Sequence, residues 1–385
     1  MRIGVNGRFY GAPATGVQRF ARELTRALAE GADVRVLLPA DAPDDAAEDG
    51  HTPSLRGRLR GVAWEQLELP GQARRAGLDV VLHPANAAPV RGGPNVVVLH
   101  DVTPWTHPET FTLRYRTWCR VAHGRSARAA AALVTVSDEA AAAMERVLGI
   151  DRARIRVALQ GAAPLDAPPT AEAVDAVRAR LNLPERWFLA VGADRRKGTD
   201  LLRGLWAGPG APAEPLVVVG RRVGRVHGPD RVPTGGRGGG LAEPVRPVRD
   251  VGVVDDATLR ALYGGAVALL FPTLGEGFGR PPLEALACGT RALSEPCPSA
   301  RLLDPHVDIV RGGVEAWRGA VAEVARESPS LRTRRVAAGR AAAAGFTWSR
   351  TAETVLAACR DAVGRGGRAG AADGARGVPT ERAPT

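Results

Sequence analysis

The chain has 385 residues, 45% of them apolar and 4% aromatic, and a net charge of +11. That length is too great for one core and predicts two domains, and no apolar run reaches the length of a membrane span. The four cysteines, at 119, 288, 297 and 359, form no Cys-x-x-Cys pair. This argues against a disulfide framework or a zinc site and fits free thiols in a reducing cytoplasm.

In chain order, Ile3–Val5, Val34–Leu38, Val80–His83, Val96–His100, Leu133–Val136 and Ile155–Val157 read as short buried strands. The opening Met1-Arg-Ile-Gly-Val-Asn is thus expected to be a strand and not a secretory leader. Helical patterns at Val17–Glu30 and Asp138–Leu148 lie between them, and the alternation predicts a parallel sheet covered on both faces. The proline-rich stretch Ala162–Pro169 reads as a link. A second series of strands follows at Phe188–Val191, Leu216–Val219, Val251–Val253, Ala266–Phe271 and Arg291–Ser294. Helices are expected at Ala171–Leu181, Thr199–Trp206, Asp256–Tyr263, Pro282–Cys288 and Glu315–Glu327. The fold class is therefore α/β, with two doubly wound parallel-sheet (Rossmann-like) domains.

The positive charge has a compositional origin, since the 52 basic residues include a single lysine, Lys197. It also suits anionic partners, among them a nucleotide diphosphate, a lipid phosphate or a membrane surface. The excess is concentrated in Arg221–Arg249 and in the tail from Gly364. Neither stretch interleaves aromatics as a nucleic-acid surface would, so no nucleic-acid partner is expected. His107-Pro-Glu109 opens a segment with Phe111, Tyr115 and Trp118 at near-helical spacing, which suits core packing, an acceptor groove or membrane contact.

The most informative segment is Gly275–Thr290, G-E-G-F-G-R-P-P-L-E-A-L-A-C-G-T, which follows a buried strand and opens a helix. Its glycines permit close approach of a ligand, and Pro281 and Pro282 suit a helix's first turn. The free amides of that turn favour an anion. Glu276 and Glu284 frame the site and are better suited to accept hydrogen bonds from hydroxyls than to face a phosphate. A diphosphate flanked by hydroxyl-rich groups is a nucleotide sugar. Lys197 sits in a comparable turn, Gly192–Gly198, between a strand and a helix, with Arg196 beside it. The first supplies a point charge for phosphate, the second a fork for two oxygens. Gly11-Ala-Pro-Ala-Thr-Gly16 also precedes a helix and suits phosphate or the reacting sugar. A dinucleotide reading of Gly4-Val-Asn-Gly7 fails, because the glycine spacing is wrong and no acid ends the second strand.

These residues resemble the signature of the retaining glycosyltransferases of family 4, in which two glutamates are separated by seven residues after a Gly-Phe-Gly turn. The resemblance spans roughly residues 1 to 360, including Leu159-Gln-Gly161 and Phe346-Thr-Trp348. It implies the B-type glycosyltransferase architecture, with two sheets facing a central cleft. The implied domains are an acceptor-side domain 1–164 and a nucleotide-sugar domain 165–345. A C-terminal helix, 346–363, crosses back to the first domain, and a disordered tail covers 364–385. It implies donor contacts from Gly16, Arg196, Lys197, Gly277, Phe278, Gly279 and Glu284. Glu276 would hold the donor sugar, His100 would contact the sugar and help stabilise the transition state, and Asp101 would touch the acceptor or orient His100. His83 is expected only to line the cleft. The chain departs from the family pattern in having Ala193 where many members carry Arg, so that Arg195 or Arg196 must substitute. It also departs in Leu293–Leu302, where Glu295 comes early and a later acid is missing.

The expected activity is transfer of a hexose, mannose first by family habit, from a nucleoside-diphosphate sugar to a glycan, lipid-linked or small-molecule acceptor. No cofactor is expected. No metal is expected either, because the sequence has no Asp-x-Asp. The expected location is the cytoplasm or the inner face of a membrane. The alternatives are a sugar-nucleotide epimerase on the same architecture and a non-catalytic nucleotide-sugar-binding partner of a transferase.

Overall fold

The computed structural model describes residues 1–12, 15–39, 55–220 and 248–374. Most of the Arg221–Arg249 stretch, and residues 375–385 of the expected tail, lie outside the described residues. The chain divides into two units. One comprises Met1–His100, Trp118–Leu159 and the segment from Trp348; the other comprises Asp101–Thr117 and Gln160–Thr347.

The first unit holds a six-stranded sheet built from β1 (Arg2–Asn6), β2 (Asp33–Leu37), β3 (Val80–His83), β4 (Asn95–Val98), β5 (Ala132–Thr135) and β6 (Ile155–Val157). Every pairing is parallel, in the order β2-β1-β3-β4-β5-β6, with Ile3 opposite Val34 and Val80. β3, β4 and β5 are buried throughout, as strands covered on both faces must be. The long helix Trp348–Gly374 packs on the helix Gly16–Ala29 and against this sheet. Phe20 meets Trp348 edge-on at 5.3 Å, Thr351 Oγ1 donates to the Leu159 carbonyl at 2.6 Å, and Arg156 Nε bonds Asp361 at 2.9 Å. The helix continues to Gly374, into the stretch expected to be a tail.

The second unit has its own six-stranded parallel sheet. Its strands are β7 (Trp187–Val191), β8 (Leu216–Val219), β9 (Val248–Gly252), β10 (Ala266–Phe271), β11 (Arg291–Ser294) and β12 (Asp308–Ile309), ordered β12-β11-β10-β7-β8-β9. Strand order reverses between β7 and β10, where Phe188 lies opposite Ala268. Loops at the carboxyl ends of two such strands converge on the place where doubly wound sheets bind ligands. Aromatics are few, yet they concentrate here: Trp187, Trp317, Phe188 and Trp206 all lie in the core. Removing one such ring costs about 3–5 kcal/mol.

The predicted strands are all present to within a few residues at their ends. The elements that the sequence pattern does not predict include β12, of two residues, the helices Leu55–Ala63, Leu69–Arg75, Gly124–Ala129 and Pro298–Leu302, and the helix Pro329–Ala343. That helix is rich in Ala and Arg and buries only Gly339 and Ala343, so it shows no apolar stripe. It begins on Ser328, whose Oγ accepts from Leu331 N at 3.4 Å. Two π-helical turns, Trp64–Glu68 and Cys119–His123, also went unread. Among the described residues, no helix is long and apolar enough to cross a membrane.

Candidate active site

Two turns of the second unit meet at the reversal between β7 and β10. After β7, Gly192 takes φ +95°, and a Cβ there would lie 2.5 Å from Lys197 Cγ. Its bareness makes room for the lysine stem. Arg195–Lys197 form a short 3-10 turn capped by Asp194, whose carboxylate accepts from Lys197 N at 3.2 Å. After β10, the chain runs through Thr273 and the three glycines to Gly279 at φ +86°, which caps the helix Arg280–Ala287. A Cβ on Gly279 would lie 2.7 Å from Cys297 Sγ. Leu274 N donates to Arg196 O at 2.8 Å and Arg196 Nη1 donates to Gly275 O at 3.0 Å, so the turns are stitched together.

The stitching joins Lys197 to Glu276. Lys197 Nζ lies 2.6 Å from Glu276 Oε1 and 5.1 Å above the centre of the Phe271 ring. Arg196 Nη1 stands 3.4 Å from Glu276 Oε2, and Thr273 Oγ1 donates to Oε1 at 2.8 Å. Burial alone would raise the Glu276 pKa, but Lys197, then Arg196 and the hydrogen bonds outweigh it and hold the carboxyl down to about 2. Burial lowers the Arg196 pKa, yet Glu276, Asp194 and Asp101 more than reverse this and leave it raised. Arg195 is exposed. Of the two arginines considered at this turn, Arg196 is therefore the one turned inward.

Glu284 is buried one helical turn beyond Arg280. Its Oε1 accepts from Arg280 Nε at 2.9 Å and its Oε2 from the Tyr263 hydroxyl at 2.9 Å. Each carboxylate oxygen can accept a further bond. Gly277, Phe278 and Gly279 are all buried, and Phe278 O accepts from Ser299 N at 2.8 Å. Leu293–Leu302, which lacks the expected acid, therefore supports the turn through Cys297 and Ser299. Its Glu295 points elsewhere, accepting from Trp317 Nε1 at 3.4 Å. Tyr263, Thr273, Arg280 and Ser299 belong to this site and were not found from the sequence. Thr273 stands just before the signature and Arg280 within it, whereas nothing in the sequence links Tyr263 to Glu284.

The segment Asp101–Thr117 belongs to the same unit. Asp101 Oδ1 accepts from Thr103 N at 2.8 Å. The His107 ring lies against Gly275, where a Cβ would approach its Cδ2 to 2.9 Å. Phe111 is buried and stacks on Tyr115 at 5.5 Å, while Trp118 is exposed.

The first unit carries the other sequence candidates. β4 ends at Val98, two residues before His100. His100 is buried, bonds the Pro84 carbonyl through Nε2 at 2.9 Å and meets Phe20 edge-on at 4.6 Å. In the neutral ring that bond puts the proton on Nε2. Gly16 opens its helix on the surface, with nothing within 4 Å of a Cβ placed there. His83 corrects an expectation. It lines no surface but is fully buried, bonded to Asn6 Nδ2 at 3.1 Å and Asn95 Oδ1 at 3.0 Å. Asn6 in turn donates to Glu65 Oε2 at 2.9 Å, and Arg8 pairs with the same oxygen at 3.1 Å. The difference follows from its place in the sheet, since β3 lies between β1 and β4 and the polar partners Asn6, Asn95 and Glu65 are themselves buried.

All four cysteines are buried thiols outside any disulfide, and burial pushes the Cys288 and Cys359 thiols up to about 12. Among the described residues, no group of three or more His, Cys, Asp or Glu side chains could hold a metal ion.

Residues 14–162 match the family model described as Glycosyltransferase Family 4. No curated protein sequence matches the chain. Among solved structures, sucrose-phosphate synthase from Thermosynechococcus elongatus superposes with a TM-score of 0.67 at 17% identity, covering 94% of this chain and 98% of that one. HepE from Anabaena, in complex with UDP and glucose, gives 0.65 at 17% identity, covering 92% and 98%. The catalytic domain of starch synthase IV from Arabidopsis thaliana, bound to ADP and acarbose, gives 0.64 at 12% identity, covering 94% and 99%. At these identities the likeness establishes the fold, which is the B-type glycosyltransferase fold.

Proposed function

We propose that this chain, whose residues 14–162 carry the match to Glycosyltransferase Family 4 and whose two sheets have the B-type fold, transfers a hexose from a nucleoside-diphosphate sugar with retention of configuration. The observation that carries the reading is the convergence of Lys197, Arg196 and Glu276 at the strand reversal of the second unit, one turn before the helix bearing Glu284. The complexes of HepE with UDP and glucose and of starch synthase IV with ADP support a nucleotide donor of this kind.

In this reading Lys197 and Arg196, with the amides of Gly277–Gly279, neutralise the departing diphosphate. Glu284, already oriented by Arg280 and Tyr263, accepts from the ribose hydroxyls. Glu276 accepts from hydroxyls of the sugar and steadies its developing positive charge. The acceptor oxygen bonds to the anomeric carbon on the face that the diphosphate leaves, and the acceptor's proton passes to a diphosphate oxygen. From the resemblance, His100 contacts the reacting sugar, Asp101 serves the acceptor and Gly16 lies beside the diphosphate. The acceptor is a glycan, a lipid-linked sugar or a small molecule, and the basic surface suits attachment to an anionic membrane from the cytoplasmic side.

The test is a thermal-shift screen against UDP, GDP, ADP and dTDP, each with and without its common sugars. GDP-mannose, UDP-glucose and ADP-glucose come first. Selective stabilisation by one nucleotide and its conjugate supports the reading. The missing acid in Leu293–Leu302 favours one rival, a non-catalytic partner of a transferase, and binding without turnover on any acceptor would move the assignment there. A product with no new glycosidic bond would indicate an epimerase.

A further inference from the structure

We infer that Glu276 is a built-in counter-anion of the diphosphate site, and that its competition for Lys197 and Arg196 makes the protein prefer the intact sugar donor over the bare nucleoside diphosphate. The inference rests on the donor-site reading above.

The two cations proposed for the diphosphate are already engaged by one carboxylate. Lys197 Nζ is 2.6 Å from Oε1 and Arg196 Nη1 is 3.4 Å from Oε2, with all three side chains largely buried at 10–17% exposure. The Thr273 hydroxyl adds a further bond at 2.8 Å. An anion that binds these cations competes with Glu276 for them, and weakening a desolvated ion pair is costly unless the carboxylate finds new partners. A nucleotide sugar supplies them, since its sugar hydroxyls donate to the carboxylate beside the cations. A nucleoside diphosphate has no sugar there to donate, so it carries the whole cost of the competition. The same arithmetic favours product release, because once the sugar has left, Glu276 regains its cations at the expense of the diphosphate. Glu276 is then a specificity-determining group as well as a sugar contact. Its near neighbours fit this role: Leu274 and Gly275 are pinned to Arg196 through the backbone, which keeps the carboxylate within reach of both cations.

The decisive experiment is calorimetric titration of the full chain and of Glu276→Gln with UDP, GDP, ADP, dTDP, their hexose conjugates and inorganic pyrophosphate. Glutamine keeps the shape and removes the charge. The expected result is at least fivefold tighter binding of the matching nucleoside diphosphate and of pyrophosphate. The sugar conjugate should gain less or lose affinity. Thr273→Val, which removes a bond to the carboxylate without touching its charge, should tighten the nucleoside diphosphate about two- to threefold, and it decides the matter if Glu276→Gln does not fold. If the wild-type chain binds a nucleoside diphosphate but neither variant binds it more tightly, the counter-anion inference is overturned and the donor-site reading stands. If neither wild type nor variants bind any of these probes, both are overturned.

Discussion

Gly198 lies under the carbonyl of Pro272, so close that a Cβ on it would sit 1.9 Å from the oxygen. Its φ of +67° also belongs to the left-handed region, where side chains cost roughly 1–2 kcal/mol. This single contact lets the turn bearing Lys197 close on the turn bearing Glu276. Gly198→Ala is expected to destabilise the chain by at least about 2 kcal/mol. It should also weaken nucleotide binding by moving the lysine. A variant that melts and binds like the wild type would show that the two turns do not need this approach.

Lys197 is the point charge of the site. Lys197→Ala should lower turnover at least tenfold, which corresponds to about 1.4 kcal/mol of lost transition-state stabilisation. Lys197→Arg should recover only part of it, because the compact ammonium sits 2.6 Å from Glu276 Oε1, and a longer, planar guanidinium would carry its charge elsewhere. Steady-state rates on the donor found by the screen decide this. Unchanged turnover in the alanine variant would remove Lys197 from the chemistry.

Tyr263 and Glu284 are bound 21 positions apart in sequence, the hydroxyl donating to a buried carboxylate. Hydrogen bonds to charged groups contribute roughly 1.5–3 kcal/mol, and Tyr263→Phe should cost stability in that range. If Glu284 holds the ribose, the same variant should raise the donor KM more than it lowers kcat. A stability loss with no change in KM would confine Tyr263 to the core.

What the sequence made legible follows its local grammar. The strand-turn-helix around Glu276 announces itself, because every group that shapes it lies within one window: apolar Ala266–Phe271, then the glycines, then Pro281 and Pro282. Lys197 stood out through composition. Invisible were the partners that arrive from elsewhere. That Glu276 would rest on Lys197, rather than stand apart from the cations proposed to bind phosphate, is a tertiary fact created by the pairing of β7 with β10. Tyr263 sits in a helix whose apolar spacing explains it equally well as core. The π-helical turn Trp64–Glu68 has no period that a sequence would reveal, yet it carries Glu65 to Asn6.

Catalysis as proposed draws its positive charge from Lys197 and Arg196. Dialysis of the purified protein against EDTA should therefore leave turnover within twofold of the untreated sample. Loss of activity restored by a divalent cation would overturn the assignment of diphosphate neutralisation to these two side chains.

His83 sets a pH dependence of stability. Burial drives its pKa from 6.5 down to about 4, against the opposing pull of Glu65 and the bond to Asn95. A folded-state pKa below the unfolded one means that the unfolded chain takes up the proton first. The stability held by the neutral ring is therefore complete above pH 6.5 and is lost as pH falls toward 4. The full loss is about 3 kcal/mol, of which ~2 kcal/mol falls between pH 6.5 and 5, before most carboxylates titrate. In His83→Gln the ring is gone. The variant should be less stable at pH 7.5, since Asn6 and Asn95 lose well-placed partners, but its melting temperature should fall much less between pH 7 and 5 than that of the wild type. Melting curves across that range provide the test, and an equal slope in both proteins would show that the acid sensitivity arises from another group.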